Sequence, residues 1–323
     1  MIITKERAGQ IALATLLPRA KLSEAEVARR FEQAVSPAYW QQLNPQLTVN
    51  GEGSPEIENQ AIGECEREQL LKMVARSGYF QTEPLIDPGV IDRMRDGVET
   101  LRRGGWPEVF AFAYDEFWQV TRTPSLVSLL SGALGRGYKP LPHVVVHYVP
   151  SGAGSGWRPH VDFSERTDRF TVWLGLNDAM LDGGCMYLIP KHRLSDSTLR
   201  NFISTQPLTH TEVLELLHGS RALPIRAGTV LGWEHDVIHW GTSSSAEAPS
   251  RISLSVVFLR EGFSPLNDEV PLLDALQVPD FSQRLFAVAK ALTYYNIHVL
   301  SLNQFKKLAS LLVAEFREPA INT

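Results

Sequence analysis

The sequence predicts an α+β protein with a mainly β core and flanking helices. Three observations carry that reading. Up to residue 138 apolar residues recur at helical spacing between capping signals. From Lys139 the chain turns into short β-branched and aromatic runs separated by Gly, Pro, Asp and Ser clusters. After Pro265 the helical pattern returns. Many short strands with turn signals between them suggest a sandwich or small barrel.

Taken in order, Ser23 and Glu26 form a capping-box pattern opening a helix over 24–35, with Val27, Phe31 and Val35 on one stripe. A second helix is predicted over 64–77, with Leu70, Leu71 and Val74 inward and Gly78 as its terminator. The third has an Asp87 cap, Pro88 in its first turn and Gly104-Gly105 as its stop. Between those ends Val90, Ile91, Met94, Val98 and Leu101 fall at helical spacing. The polar stretch 44–55 reads as a loop. Strands are predicted over 142–149, 170–176, 186–189, 228–233 and 251–259. An insertion over 195–220 carries a helix around 212–217, and the clearest C-terminal helix covers 302–316. No flexible linker divides the textures, so one domain is expected. It would comprise a helical region 1–138, a β core 139–262 and a helical region 263–323.

With 44% hydrophobic and 21% charged residues a sizeable core is possible. A formal charge of −5 gives no basic footprint for nucleic acid. No apolar run approaches the ~18 residues of a membrane span, and Lys5, Glu6 and Arg19 interrupt the start, so no secretory signal is read there. Cys65 and Cys185 match no zinc or redox spacing and read as buried small hydrophobes or loop residues in a reducing compartment. The expected location is the cytoplasm and the expected partner a small molecule, without membrane or nucleic acid.

The chemistry concentrates in three places. In Arg158-Pro159-His160-Val161-Asp162, an extended backbone points His160 and Asp162 to one side, offering an imidazole nitrogen and a carboxylate oxygen to one ion. His239 follows a strand ending at Trp233. Two histidines and one carboxylate form a facial triad that leaves three coordination positions open, which suits catalysis better than structural support. Arg251 opens the last strand of the core, and Ser253 shares its face. A charge pointing into a β core is costly unless paired, and a guanidinium fork with a hydroxyl suits one carboxylate. The bland alternative has Arg251 at an exposed strand edge beside Glu247 or Asp236.

The order His160, Asp162, His239, Arg251 resembles the phytanoyl-CoA dioxygenase family. So do Asp182-Gly183-Gly184-Cys185-Met186-Tyr187-Leu188-Ile189-Pro190 and Thr171-Val172-Trp173-Leu174-Gly175-Leu176-Asn177-Asp178-Ala179. The likeness covers roughly 78–260. It departs at Pro190-Lys191-His192-Arg193, where the family has Gly-Ser-His after the proline. The resemblance implies a double-stranded β-helix (a jelly roll related to the cupins). It further implies Fe(II) on His160, Asp162 and His239, and 2-oxoglutarate anchored by Arg251, with Ser253 as helper and Trp173 as neighbour. The implied reaction consumes O2, releases succinate and CO2, and hydroxylates an unactivated C–H bond. Related halogenases lack the carboxylate held here by Asp162, which favours hydroxylation.

Trp157 and Arg158 are candidates for the substrate entrance, and Gly152, Gly154 and Gly156 for a mobile lid or a plain surface loop. Arg158, Arg166, Arg169 and Arg193 either read an anionic substrate or are solvated. His235 is the alternative distal ligand, and His143 or His147 could approach the metal. Two other classes stay open: a cupin-like metalloenzyme without 2-oxoglutarate, and a non-catalytic jelly-roll binding module.

Overall fold

A computed structural model describes residues 21–316, apart from 51–56, 58, 153–155, 163–167 and 297–298. The loop reading beyond residue 50, Gly154 and Arg166 lie outside the described residues.

Helix α1 (Glu24–Ala34) begins where the Ser23 hydroxyl accepts from the Glu26 N–H at 3.1 Å. The Glu26 carboxylate turns forward to Arg29 and Arg30 instead of back to the cap, so the reciprocal half of the expected capping box is absent. Helix α2 (Pro37–Leu43) buries Trp40. Helix α3 (Glu64–Ser77) stops at Gly78, whose φ of 77° is one that glycine adopts without strain. Strand β1 (Tyr79–Pro84) follows directly, inside the region read from sequence as helical. Six residues between a helix terminator and the next helix cap are too short for periodicity to reveal, and its partner lies more than a hundred residues away.

Helix α4 (Pro88–Arg103) is capped by Asp87 and buries the predicted stripe. A 3-10 run (Glu108–Ala113), the short α5 (Glu116–Gln119) and α6 (Pro124–Leu134) complete the N-terminal layer. The core then runs through β2 (Lys139–Val149), β3 (Arg169–Gly175) and β4 (Met186–Leu188). Two helices, α7 (Asp196–Ile203) and α8 (His210–Gly219), fill the insertion where sequence suggested one. Strands β5 (Arg221–Leu223), β6 (Thr229–Glu234), β7 (His239–Gly241) and β8 (Arg251–Leu259) follow. Helix α9 (Phe281–Tyr295) is the longest C-terminal element. The expected helix over 302–316 divides into a 3-10 run (Leu300–Phe305) and α10 (Lys306–Phe316).

All named strand pairs are antiparallel, in a five-stranded sheet ordered β1-β6-β3-β8-β2 and a three-stranded sheet ordered β5-β4-β7. Alternation along β3 divides its side chains between two cores. Phe170, Val172 and Leu174 join Val144, Leu254 and Phe258 against the helices, in a cluster reaching Trp40, Phe110, Leu285 and Leu308. Trp173 points the other way, with Leu231 and Trp233, against Cys185, Met186, Leu188 and Ile225 of the smaller-sheet side. Both faces of β3 and β8 are buried, hence their unbroken apolar runs. Among the described residues no helix is long and apolar enough to cross a membrane.

Candidate functional site

Residues 156–162 run antiparallel to the β7 segment. The N–H of Gly241 donates to the Trp157 carbonyl at 3.2 Å and that of Asp162 to the His235 carbonyl at 3.1 Å. Between them His160 and His239 exchange backbone hydrogen bonds of 3.1 and 3.0 Å. This places the two imidazoles side by side, with ring centroids 4.3 Å apart. Asp162, two residues beyond His160, emerges on the same side. Its Oδ1 lies 3.6 Å from His160 Nε2 and 3.4 Å from His239 Nε2. One ligand atom from each of the three fits within 4.8 Å of the others.

Surrounding bonds fix which atoms face the common point. His160 Nδ1 lies 2.7 Å from the Arg158 carbonyl and His239 Nδ1 lies 2.9 Å from that of Val237. A carbonyl requires a donor, so each Nδ1 carries a hydrogen, and the neutral ring that binds a metal presents its Nε2 lone pair. Asp162 Oδ2 accepts from Thr171 Oγ1 at 2.6 Å and from Trp233 Nε1 at 2.9 Å, which leaves Oδ1 for the imidazoles. Thr171 and Trp233 are register partners across β3 and β6. Sequence reasoning did not single out either residue; the available signal was inward-facing polarity on two neighbouring strands.

Burial would by itself raise the Asp162 pKa, but the two imidazoles outweigh it and hold the carboxyl well below 3.8. Burial likewise opposes charge on His239, yet Asp162 and the Val237 carbonyl keep its pKa above 6.5. His235 is buried and its Nδ1 has no partner, but its ring lies outside the group.

Arg251 is 3% exposed and opens β8 opposite Val149. Nη1 donates to the Gly184 carbonyl at 2.6 Å and lies 3.7 Å from Met186 Sδ, while Nε has no partner. No carboxylate pairs with it among the described residues, and burial pushes its pKa down to about 10. Asp236, one of its two imagined partners, instead meets Lys191 at 2.9 Å. Ser253, fully buried, also has an unpartnered hydroxyl. Asn177 pins the start of β8, accepting from the Ile252 N–H at 2.8 Å and donating to the Ser250 carbonyl. A Cβ at Gly241 would meet Arg251 Nη1 at 2.7 Å, so the strand carrying His239 lies against the guanidinium.

His147 faces Ser253 in register and lies 3.3 Å from Ser255 Oγ. Burial first, and Arg251 second, push its pKa down to about 3, so it is neutral at physiological pH. A cavity of about 250 Å³ adjoins these groups, with Arg251, His147, Trp157 and Tyr295 on its wall. The Trp157 ring is 5.4 Å from that of His160 and 5.7 Å from that of Tyr295. Tyr295 had no place in the sequence reading, because it enters from a C-terminal helix outside the motifs.

The remaining candidates separate. Arg158 is exposed and contributes its carbonyl. Trp173 is buried in the same cluster as Met186. Arg169 is not in a loop as its sequence context suggested: it opens β3, is 1% exposed, and is held by Asp168 and Glu269. Arg193 is exposed, and His143 packs edge-on against Tyr294. In the departing motif, Lys191 pairs with Glu234 and Asp236, and His192 meets Ser77. Cys65 is exposed and Cys185 buried; neither is in a disulfide.

No family profile and no curated protein matches the sequence. Solved structures match the fold. The non-haem α-ketoglutarate dependent epimerase SnoN from nogalamycin biosynthesis is 19% identical, with a TM-score of 0.52 over 68% of this chain and 93% of that one. SnoN in complex with Fe3+, α-ketoglutarate and nogalamycin RO aligns with a TM-score of 0.51 at 19% identity, over 68% and 96%. The apo form of ThoJ, a non-haem monooxygenase, gives 0.52 at 15% identity, over 76% of this chain and 99% of that one. At these identities the likeness establishes the fold.

Proposed function

We propose that this chain is a non-haem iron(II), 2-oxoglutarate-dependent oxygenase of the phytanoyl-CoA dioxygenase type, whose two sheets form a double-stranded β-helix. The reading takes His160, Asp162 and His239 as the metal ligands and Arg251 as the co-substrate anchor. The observation that carries it is Arg251: a buried guanidinium with no carboxylate partner among the described residues and an unused Nε–H. An unpaired buried cation is costly, and the costs fall if an anion arrives with its own carboxylate. Ser253 adds a second unused hydrogen-bonding group on the same strand face. A cupin-like metal site without a keto acid leaves both groups unexplained.

The donor set also fits the metal. Two imidazole nitrogens and one carboxylate oxygen suit iron(II) with open positions, and Asp162 keeps its charge because its pKa is so low. Bound iron(II) with 2-oxoglutarate and O2 supplies the oxidation, converting R–H to R–OH with release of succinate and CO2.

The protein's own residues supply placement. The Arg158 and Val237 carbonyls orient the two imidazoles, and Thr171 with Trp233 orients Asp162. Arg251 and Ser253 grip the distal carboxylate and fix the direction in which the keto acid lies. His147, neutral, adds no competing charge beside Arg251. Trp157, on the cavity wall beside His160, excludes water from that side of the site. Hydroxylation of a small organic substrate is the proposed outcome, in the cytoplasm, by a chain of one domain.

The test is thermal stability under anaerobic conditions. Iron(II) and 2-oxoglutarate together should raise Tm by more than the sum of their separate effects. Arg251→Ala should lose the 2-oxoglutarate part and keep the iron part. An additive response in the wild type would overturn the reading.

A further inference from the structure

The cavity beside Arg251 follows β2, an end strand of the larger sheet, and is closed by α9 and the segment after it. Its charges are accounted for. Among the described residues the charged side chains on its wall are Arg102, Glu108 and Arg251. Arg102 and Glu108 pair with each other, and the Arg102 guanidinium lies 3.4 Å over the Tyr148 ring. Arg251, on the reading above, is committed to the co-substrate. His147 meets Ser255 and is neutral. The rest of the wall is largely apolar, including Val145, Ala291, Val299 and Leu302.

We propose that this cavity is the substrate chamber, built for a small uncharged and mainly apolar organic molecule held against the paired rings of Trp157 and Tyr295. The proposal rests on the oxygenase reading and names the substrate class for the same site. An ionic substrate would lose its water and find no unpaired counter-charge. A volume of about 250 Å³ is at the small end for ligand sites and suits a small reacting group. Tyr295 sets the orientation. Its ring lies 5.7 Å from that of Trp157, whose ring lies 5.4 Å from that of His160, so Trp157 links the cavity wall to the metal ligands. The Tyr295 hydroxyl, on the cavity wall, is the donor for a hydroxyl or carbonyl on the substrate. Of the basic residues that sequence offered for an anionic substrate, the three described ones do not reach this wall: Arg169 is locked in an ion cluster, and Arg158 and Arg193 are exposed.

The test compares 1-hexanol, hexanoate and hexylamine at pH 7, by calorimetry and Tm, on protein loaded with nickel(II) and 2-oxoglutarate. Hexanol should bind, with both ions about tenfold weaker or worse. Tyr295→Phe should weaken hexanol roughly two- to tenfold. Filling the chamber by Val299→Trp, or by Ala291→Phe if the first does not fold, should abolish hexanol binding while the nickel and 2-oxoglutarate shift persists. The proposal is overturned if hexanol does not bind, if either ion matches it, or if hexanol binding survives the filling variant. Loss of the nickel and 2-oxoglutarate shift in the wild type would instead overturn the oxygenase reading, on which the commitment of Arg251 to the co-substrate depends.

Discussion

Gly241 lies so close under the Arg251 guanidinium that one added carbon would sit 2.7 Å from Nη1. The strand that delivers His239 therefore also packs against Arg251, the proposed co-substrate anchor, and joins it mechanically to the proposed metal ligands. Gly241→Ala should displace Arg251, weaken 2-oxoglutarate at least about tenfold and cost about 1–3 kcal/mol of stability. Metal affinity should change far less. Calorimetry with each ligand separates the two, and unchanged 2-oxoglutarate affinity would contradict this coupling.

Thr171 and Trp233 hold the outer oxygen of Asp162. Removing either donor with its shape kept, as in Thr171→Val or Trp233→Phe, should lower metal affinity about 10- to 100-fold. Chelator competition measures this. The double variant should lose less than the sum of the two, because both donors act on one oxygen.

Metal affinity should depend on pH through His239. Its pKa is raised above 6.5, so the apo protein holds a proton there that the metal must displace. Affinity should fall about tenfold per pH unit below that raised pKa and level off above it. Asp162 does not contribute in this window, being ionised well below pH 3.8. In the metal-free protein the same shift has the opposite consequence for folding. Stability contributed by protonated His239 is complete below about pH 6.5 and is lost as pH rises through the raised pKa. Urea titrations across this range, with and without metal, should show the two trends.

The ion cluster at the start of β3 is structural. Glu269→Ala leaves Arg169 buried with one acid fewer, so stability should drop by about 3–5 kcal/mol. Metal affinity should be retained, which denaturant titration and chelator competition check together.

The sequence held more of the site than of its supports. His160 and Asp162 were legible because alternate residues of an extended segment share a side. Arg251 was legible because a charge opening an apolar strand demands an explanation. The helix ends at Gly78 and Asp87 were written in caps that need no tertiary contact. Strand β1 was not legible, because a strand this short is defined by its pairing with β6. Thr171, Trp233 and Tyr295 were hidden for a similar reason. Trp233 meets Asp162 from 71 residues away and Thr171 from the next strand, and nothing local marks a threonine or tryptophan as the partner of an aspartate. Arg169 misled because the turn residues before it resemble a loop, whereas its ionic partner Glu269 lies beyond the core strands.

The helical layers and one face of the larger sheet share a single apolar cluster. Leu285→Ala in α9 should therefore cost about 2–5 kcal/mol and lower one cooperative unfolding transition. A separate early transition would contradict a one-domain chain.

On the proposed reading a metal and a keto acid meet through residues far apart in the chain. Visible absorption of the anaerobic protein with iron(II) and 2-oxoglutarate tests it most directly. The wild type should develop a charge-transfer band that neither ligand gives alone, and Arg251→Ala should need far more 2-oxoglutarate to reach it. No band in the wild type, or an Arg251→Ala titration that coincides with the wild type, would contradict the account.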